Sequence, residues 1–288
     1  PSPKTIRILP RATTRLSKGV IKMSKTLNEI ANDLISAQKK VQFIYAFNGM
    51  GKTRLSKEVK NTIAPKLINE DGEAVYNDEL SGRKFLYYNA FTEDLFYWDN
   101  DLKSDSHNNL KIQPNSFINW LLETQGLEPE IIRNFQRYTN NKTTPKFQLQ
   151  TDDQDNPITP KAYEVIFSYS RGNNTTESNI KISKGEESNL IWSVFYSLIE
   201  DVLEILKTPE ADRSTQRFDD LEYIFIDDPV SSLDENHLIE LAVDITELIK
   251  YSPNNLRFIV TTHNPLFFNV LFNEGLKLNE LSGVVVLI

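Results

Sequence analysis

The sequence predicts an α/β fold, a mainly parallel sheet flanked by helices with an inserted lobe. Three observations carry that prediction. Short apolar runs alternate with segments whose apolar residues recur at helical spacing. One run leads straight into a glycine-bracketed turn, Gly49-Met50-Gly51-Lys52-Thr53. Another ends in paired acids, Asp227-Asp228, at the kind of strand end where open α/β sheets collect ligands.

Residues 1–26 hold seven Lys and Arg and no acid, whereas the remainder sets 25 basic residues against 40 acidic ones. An acidic body attracts nucleic acid poorly, so such binding would need a local patch. Residues 1–22 are expected to be a disordered basic extension upstream of a start at Met23. A basic nucleic-acid arm and an organelle transit peptide are the alternatives. Leu27, Ile30, Ala31, Leu34 and Ile35 repeat at helical spacing. Residues 42–45 read as a buried strand, 54–61 as a helix, 66–83 as a polar loop and 84–88 as a strand. Two helical patterns flank Gly126 and Pro129. Residues 139–161, with three Pro, read as a surface excursion, and 163–182 as two strands with a turn at 171–174.

From Gly185 a long helix carries Leu190, Ile191, Val194, Phe195, Leu198 and Ile199 on one side. A loop over 207–220 precedes the strand ending in the two acids. A helix over 236–250, a strand over 256–261, a short helix opened by Pro265 and a last strand over 283–288 complete the order. Residues 23–288 are expected to form one domain, with 61–180 as the inserted lobe.

Composition excludes several chemistries. There is no Cys, which removes disulfides, thiolate metal sites and Cys nucleophiles and fits a cytoplasmic location. Three His argue against a multi-histidine metal centre, and no apolar run reaches the roughly 18 residues of a membrane span.

The turn over residues 46–53 matches the phosphate-binding pattern with Ala46 in place of its first Gly. Gly49 and Gly51 let successive backbone N–H groups point at phosphate oxygens, with Asn48 in the same loop. The following helix aims its positive end at the same anion. Lys52 supplies a cation to the β and γ phosphates, and Thr53 a hydroxyl to Mg²⁺. Asp227 is expected to help hold that Mg²⁺, and Asp228 to orient or deprotonate water. On these grounds the ligand is Mg²⁺ with ATP or GTP.

Ile182-Ser183-Lys184-Gly185-Glu186-Glu187 resembles the signature loop of ATP-binding-cassette (ABC) ATPases. Lys184 stands where a second Gly is common, and Glu186 where Gln is common. Pro229-Val230-Ser231-Ser232-Leu233-Asp234 resembles the D-loop of such proteins, and His263 their switch histidine. The resemblance implies an ABC-type P-loop NTPase head. In such a head Ser183, Gly185, Glu186 and Asp234 meet nucleotide across a homodimer or higher oligomer. It also makes Asp228 a departure, because many such enzymes have Glu there. Asp is shorter by roughly 1.5 Å, a displacement of the size that costs about 100-fold in rate.

Residues 41–57, 86–101, 111–115, 180–197 and 223–238 together are similar to the N-terminal NTPase domain of PrrC-type tRNA anticodon nucleases. Asn89 stands where the resemblance expects a Q-loop Gln. The resemblance implies a regulatory head for phage defence. It would control tRNA cleavage by a C-terminal domain and be held by a type I restriction–modification complex. Only 25 residues follow His263, so the nuclease domain is expected to be absent and no nuclease residue is assigned. Two other readings compete. A DNA-repair ATPase of the RecF/SMC type would need heptads that 61–180 lack. A nucleotide-sensing scaffold without turnover is kept open by Asp228.

Overall fold

A computed structural model describes residues 6–9, 25–65, 67–68, 74–75, 84–89, 96–100, 108–114, 116–152, 154–172, 175–230, 235–277 and 281–287. The chain divides into two compact units. The first is Pro1–Asn89, Val202–Ser231 and Glu235–Ile288, and the second is Ala90–Asp201 with Ser232–Asp234. The expected lobe over 61–180 therefore shifts. Its first part belongs to the first unit, because α2 (Lys52–Ile63) and β5 (Phe85–Asn89) pack in that core.

In the first unit, β2 (Val41–Ala46), β12 (Arg257–Thr262), β11 (Tyr223–Asp227) and β5 pair in parallel in that order. β13 (Leu281–Leu287) adds in parallel to the other edge of β2, and β1 (Ile6–Leu9) closes that side antiparallel. Within 1–22, expected to be disordered, the described residues Ile6–Leu9 instead form β1. Ile6-Arg7-Ile8-Leu9 has β-prone Ile residues and lies in register with residues 284–287 of the apolar β13.

Parallel strands are covered on both faces, so they read as continuous apolar runs. All five residues of β11 are buried. One face of the sheet, with Ile44, Ala46, Phe85, Phe225 and Ile259, packs with α1 (Leu27–Ser36) and α2 through Ile30, Leu34, Leu55 and Val59. α1 opens with a capping box. The Thr26 hydroxyl accepts from Glu29 N at 3.2 Å, and Thr26 N donates to the Glu29 carboxylate at 2.7 Å. Helices α5 (Glu235–Tyr251) and α6 (Pro265–Lys277) pack on each other, and α6 also packs on β2 and β12. The polar stretch 66–83 is not wholly loop, since β3 (Leu67–Ile68) and β4 (Ala74–Val75) pair antiparallel.

The second unit is built on an antiparallel sheet. β6 (Phe96–Asn100), β7 (Asn108–Ile112), β9 (Tyr163–Gly172) and β10 (Thr175–Ser178) follow in order, and β8 (Thr143–Leu149) lies on β9 as well. β8 corrects the first part of the surface excursion expected of 139–161, while the described residues of 151–161 are almost all exposed. Thr143, Pro145 and Phe147 alternate inward, and among the described residues β8 pairs only with β9, so Pro145 sits on an edge strand. A short helix, Ser116–Asn119, widens to a π turn over Trp120–Thr124 and is followed by α3 (Glu128–Tyr138). Phe167 gathers Phe135 and Trp98 at centroid distances of 6.1 and 6.2 Å. The long helix α4 (Lys184–Lys207) starts in this unit and ends in the first. Among the described residues no helix is long and apolar enough to cross a membrane.

Candidate nucleotide site

The turn after β2 brings the chain back on itself through Gly49 at φ +77° and Gly51 at φ +99°. Both angles lie in the left-handed region that a side chain disfavours. Gly51 caps α2 without a side-chain bond. The first N–H groups of a helix have no intrahelical acceptor, so α2 presents donors and its positive end at the turn. Lys52, with its side chain 8% exposed, folds over the loop. Its Nζ donates to Ala46 O and to Asn48 Oδ1, each at 3.1 Å.

The parallel register sets the ends of three strands level: Asn89 on β5, Asp227 on β11 and Thr261 on β12. Asp227 is buried, and a buried carboxylate is costly without partners. It has three. Thr53 Oγ1 donates to Oδ2 at 2.8 Å, Tyr87 OH to Oδ2 at 3.1 Å and Thr261 Oγ1 to Oδ1 at 2.5 Å. Asn89 Nδ2 in turn donates to the Tyr87 oxygen at 3.1 Å. Burial first, and then the Asp227 charge, push the Tyr87 phenol up to about 12, so it is a donor at neutral pH.

Asp228 takes φ +52°, a conformation Asp tolerates better than most residues. Its N–H donates to Thr261 O at 2.9 Å. Its carboxylate accepts from Thr262 Oγ1 at 3.2 Å and from His263 N at 3.3 Å. It also lies 2.5 Å from His263 Nδ1 and 3.5 Å from Lys52 Nζ. The acceptor role of the carboxylate puts a proton on Nδ1 of His263 and leaves Nε2 as the ring nitrogen turned away from Asp228. The His263 side chain is 30% exposed, so the ring reaches the surface of the site.

Lys52, Thr53, Asn48, Asp227, Asp228 and His263, singled out from sequence, thus converge in the first unit. Thr53 and Asp227 are hard oxygen donors of the kind a Mg²⁺ ion takes, and their side-chain oxygens already touch. Ser183, Gly185 and Glu186 lie in the second unit, at the start of α4. There Ser183 and Glu186 form a capping box. Ser183 N and Oγ donate to the Glu186 carboxylate at 2.8 and 2.9 Å, and Glu186 N donates to Ser183 Oγ at 3.2 Å. Glu186 therefore has a helix-start bond of its own. Glu187 accepts from Trp98 Nε1 at 2.7 Å, joining β6 to that turn. Asp234 lies outside the described residues, as do residues 90–95 of the aromatic run. Tyr87 and Thr261 were missed as site residues. Tyr87 lies in an aromatic-rich strand in which no residue type marks a functional oxygen, and the signal that finds it is its position two residues before the level of Asp227.

A phosphate-cradle turn after one strand, paired acids after another and a histidine after the strand between them define the class. This is an α/β P-loop NTPase fold of the ABC ATPase head type. No family model matches the chain. The chain is 52% identical over 273 residues to anticodon nuclease of Escherichia coli, a match that takes in 88% of this chain and 66% of that protein. The chain is thus a homologue of anticodon nuclease over most of its length, in agreement with the resemblance carried by its motifs. It spans just under two thirds of that relative. Similar solved structures include an SMC head bound to the C-winged helix domain of ScpA. There the TM-score is 0.38 at 11% identity, over 81% of this chain and 84% of that one. They also include a post-hydrolysis dimer of an ATP-binding cassette bound to ADP and Pi. Its TM-score is 0.37 at 10% identity, over 93% of this chain and 89% of that one.

Proposed function

We propose that the chain is a nucleotide-binding and -hydrolysing head of an anticodon-nuclease-type protein, using Mg²⁺ with ATP or GTP. The observation that carries this reading is the 2.8 Å bond from Thr53 on the cradle helix to Asp227 on a strand 174 positions away. It brings the two metal-binding side chains of such a site together. Lys52 would leave its loop acceptors for the β and γ phosphates, and the N–H groups at the start of α2 would hold the phosphate oxygens. Thr53 and Asp227 would hold Mg²⁺, which supplies charge neutralisation on the phosphates when bound. Asp228 would orient His263 through Nδ1, leaving Nε2 to take a proton from water at the γ-phosphate. Ser183 and Gly185, with Asp234, are read as the elements that a second copy brings to the same nucleotide. The downstream consequence would be control of tRNA anticodon-loop cleavage in phage defence, in a cytoplasmic complex with a type I restriction–modification system.

Thermal unfolding with and without Mg-ATP or Mg-GTP tests the site. Ligand at 100 times Kd adds about 2.7 kcal/mol of stability. Lys52→Ala is expected to abolish the shift, and absence of any shift in the wild type with either nucleotide would refute the reading. The contacts of Asp228 favour one second reading, a sensor without turnover. Its carboxylate is engaged by Lys52, Thr262 and His263 and sits on a side chain shorter than Glu. Phosphate released in a single-turnover experiment would rule the sensor out.

A further inference from the structure

We propose that Tyr87 is a positioning residue for the divalent cation, holding the Asp227 carboxylate in the attitude that receives the metal. This rests on the reading of Thr53 and Asp227 given above. The ring is set independently of the hydroxyl. It stacks on Phe85 at 6.4 Å and tilts against Phe225 at 5.9 Å between centroids. Parallel pairing puts Tyr87 level with Phe225 on the neighbouring strand, so a phenol pointing along the sheet reaches the end of β11. There the hydroxyl meets Asp227 Oδ2 at 3.1 Å, the same oxygen that accepts from Thr53.

The direction of the phenol proton is also fixed. Asn89 Nδ2 donates to the Tyr87 oxygen, and of the two groups left beside the phenol, the Ser56 hydroxyl and the Asp227 carboxylate, the charged carboxylate is the stronger acceptor for its single proton. A carboxylate is free to turn about its own bond unless both oxygens are held. Thr261 holds Oδ1 from β12, and Tyr87 holds Oδ2 from β5. Both anchors belong to the sheet. Thr53, the third donor, belongs to α2 and is itself read as a metal ligand, so its bond to Asp227 is the one that changes when a cation enters. Tyr87 and Thr261 then keep the carboxylate from rotating. Partners of metal ligands that act in this way typically change metal affinity by roughly 10- to 100-fold.

The test uses the whole chain with the nucleotide that stabilises the wild type. The melting temperature is followed as Mg²⁺ is titrated at fixed nucleotide, and affinity for a fluorescent nucleotide is measured in chelator. Tyr87→Phe keeps the ring stack and removes only the hydroxyl. It is expected to need roughly tenfold more Mg²⁺ for half the shift, with metal-free nucleotide affinity unchanged. An unchanged Mg²⁺ midpoint overturns the role of Tyr87. Equal losses with and without metal overturn it too, because they mark a general structural defect. A wild type that gives no Mg²⁺-dependent shift overturns instead the site reading beneath it. Should Tyr87→Phe fail to fold, Asn89→Ala takes its place. Loss of the amide that orients the phenol is expected to move the midpoint the same way, and an unchanged midpoint there also overturns the proposal.

Discussion

Gly51 shows how much of the site hangs on one backbone angle. At φ +99° the residue turns the chain so that α2 begins facing the loop, and a Cβ there would meet the Leu27 methyls at 3.6 Å and 3.8 Å. Those are ordinary contacts, so space is available and the penalty is conformational. Gly51→Ala is therefore expected to cost about 1–2 kcal/mol, the strain of a left-handed residue with a side chain. A lowered urea midpoint at unchanged slope would record it, and an unchanged midpoint would mean the turn relaxes. Gly49, Gly51, Lys52 and Thr53 were legible because their chemistry is local: four residues within one turn, read without knowing any neighbour. Tyr87 was not. Its hydroxyl has meaning only through the pairing of β5 with β11, 140 positions away, and nothing in an aromatic run announces which ring carries a functional oxygen.

At the scale of the element, the start of α1 braces the cradle. Thr26 and Glu29 satisfy each other's backbone N–H groups, and Leu27 then lies against Gly51. Thr26→Ala leaves the N–H of Glu29 without that acceptor. It is expected to cost about 1 kcal/mol, read as a fall in melting temperature with helix content preserved. A wild-type melting temperature would show the cap to be replaced by water. The helices and parallel strands of the first unit followed from period and burial, because both faces of that sheet are apolar. β8 did not follow. Three Pro between 139 and 161 argued for loop, and only the tertiary fact that β8 is an edge strand makes Pro145 acceptable there. The division at residue 90 was equally hidden. No Gly- or Pro-rich linker marks it, and β5 runs up to it as an ordinary strand of the sheet.

For the whole molecule, the arrangement to explain is two glycine-bearing helix starts, α2 in one unit and, in the other, α4, whose Ser183 N–H donates to Glu186 in this structure. One triphosphate needs one cradle. A second helix start carrying Ser183 and Gly185 is explained if it closes on the nucleotide of another copy. Nucleotide should then drive association. With Mg-nucleotide and the slowed variant Asp228→Asn, light scattering is expected to give twice the monomer mass, and the melting temperature should rise with protein concentration. Gly185→Glu separates this from nonspecific association. A carboxylate in the first turn of a helix suits its dipole and replaces a poor helix former, so α4 should fold at least as well. The same charge repels a phosphate brought to that turn. The variant is expected to keep the Mg-nucleotide shift of the isolated chain and to stay monomeric. A dimer that forms undiminished with Gly185→Glu would take the α4 turn out of the interface and leave the cradle of α2 as the only phosphate site in use.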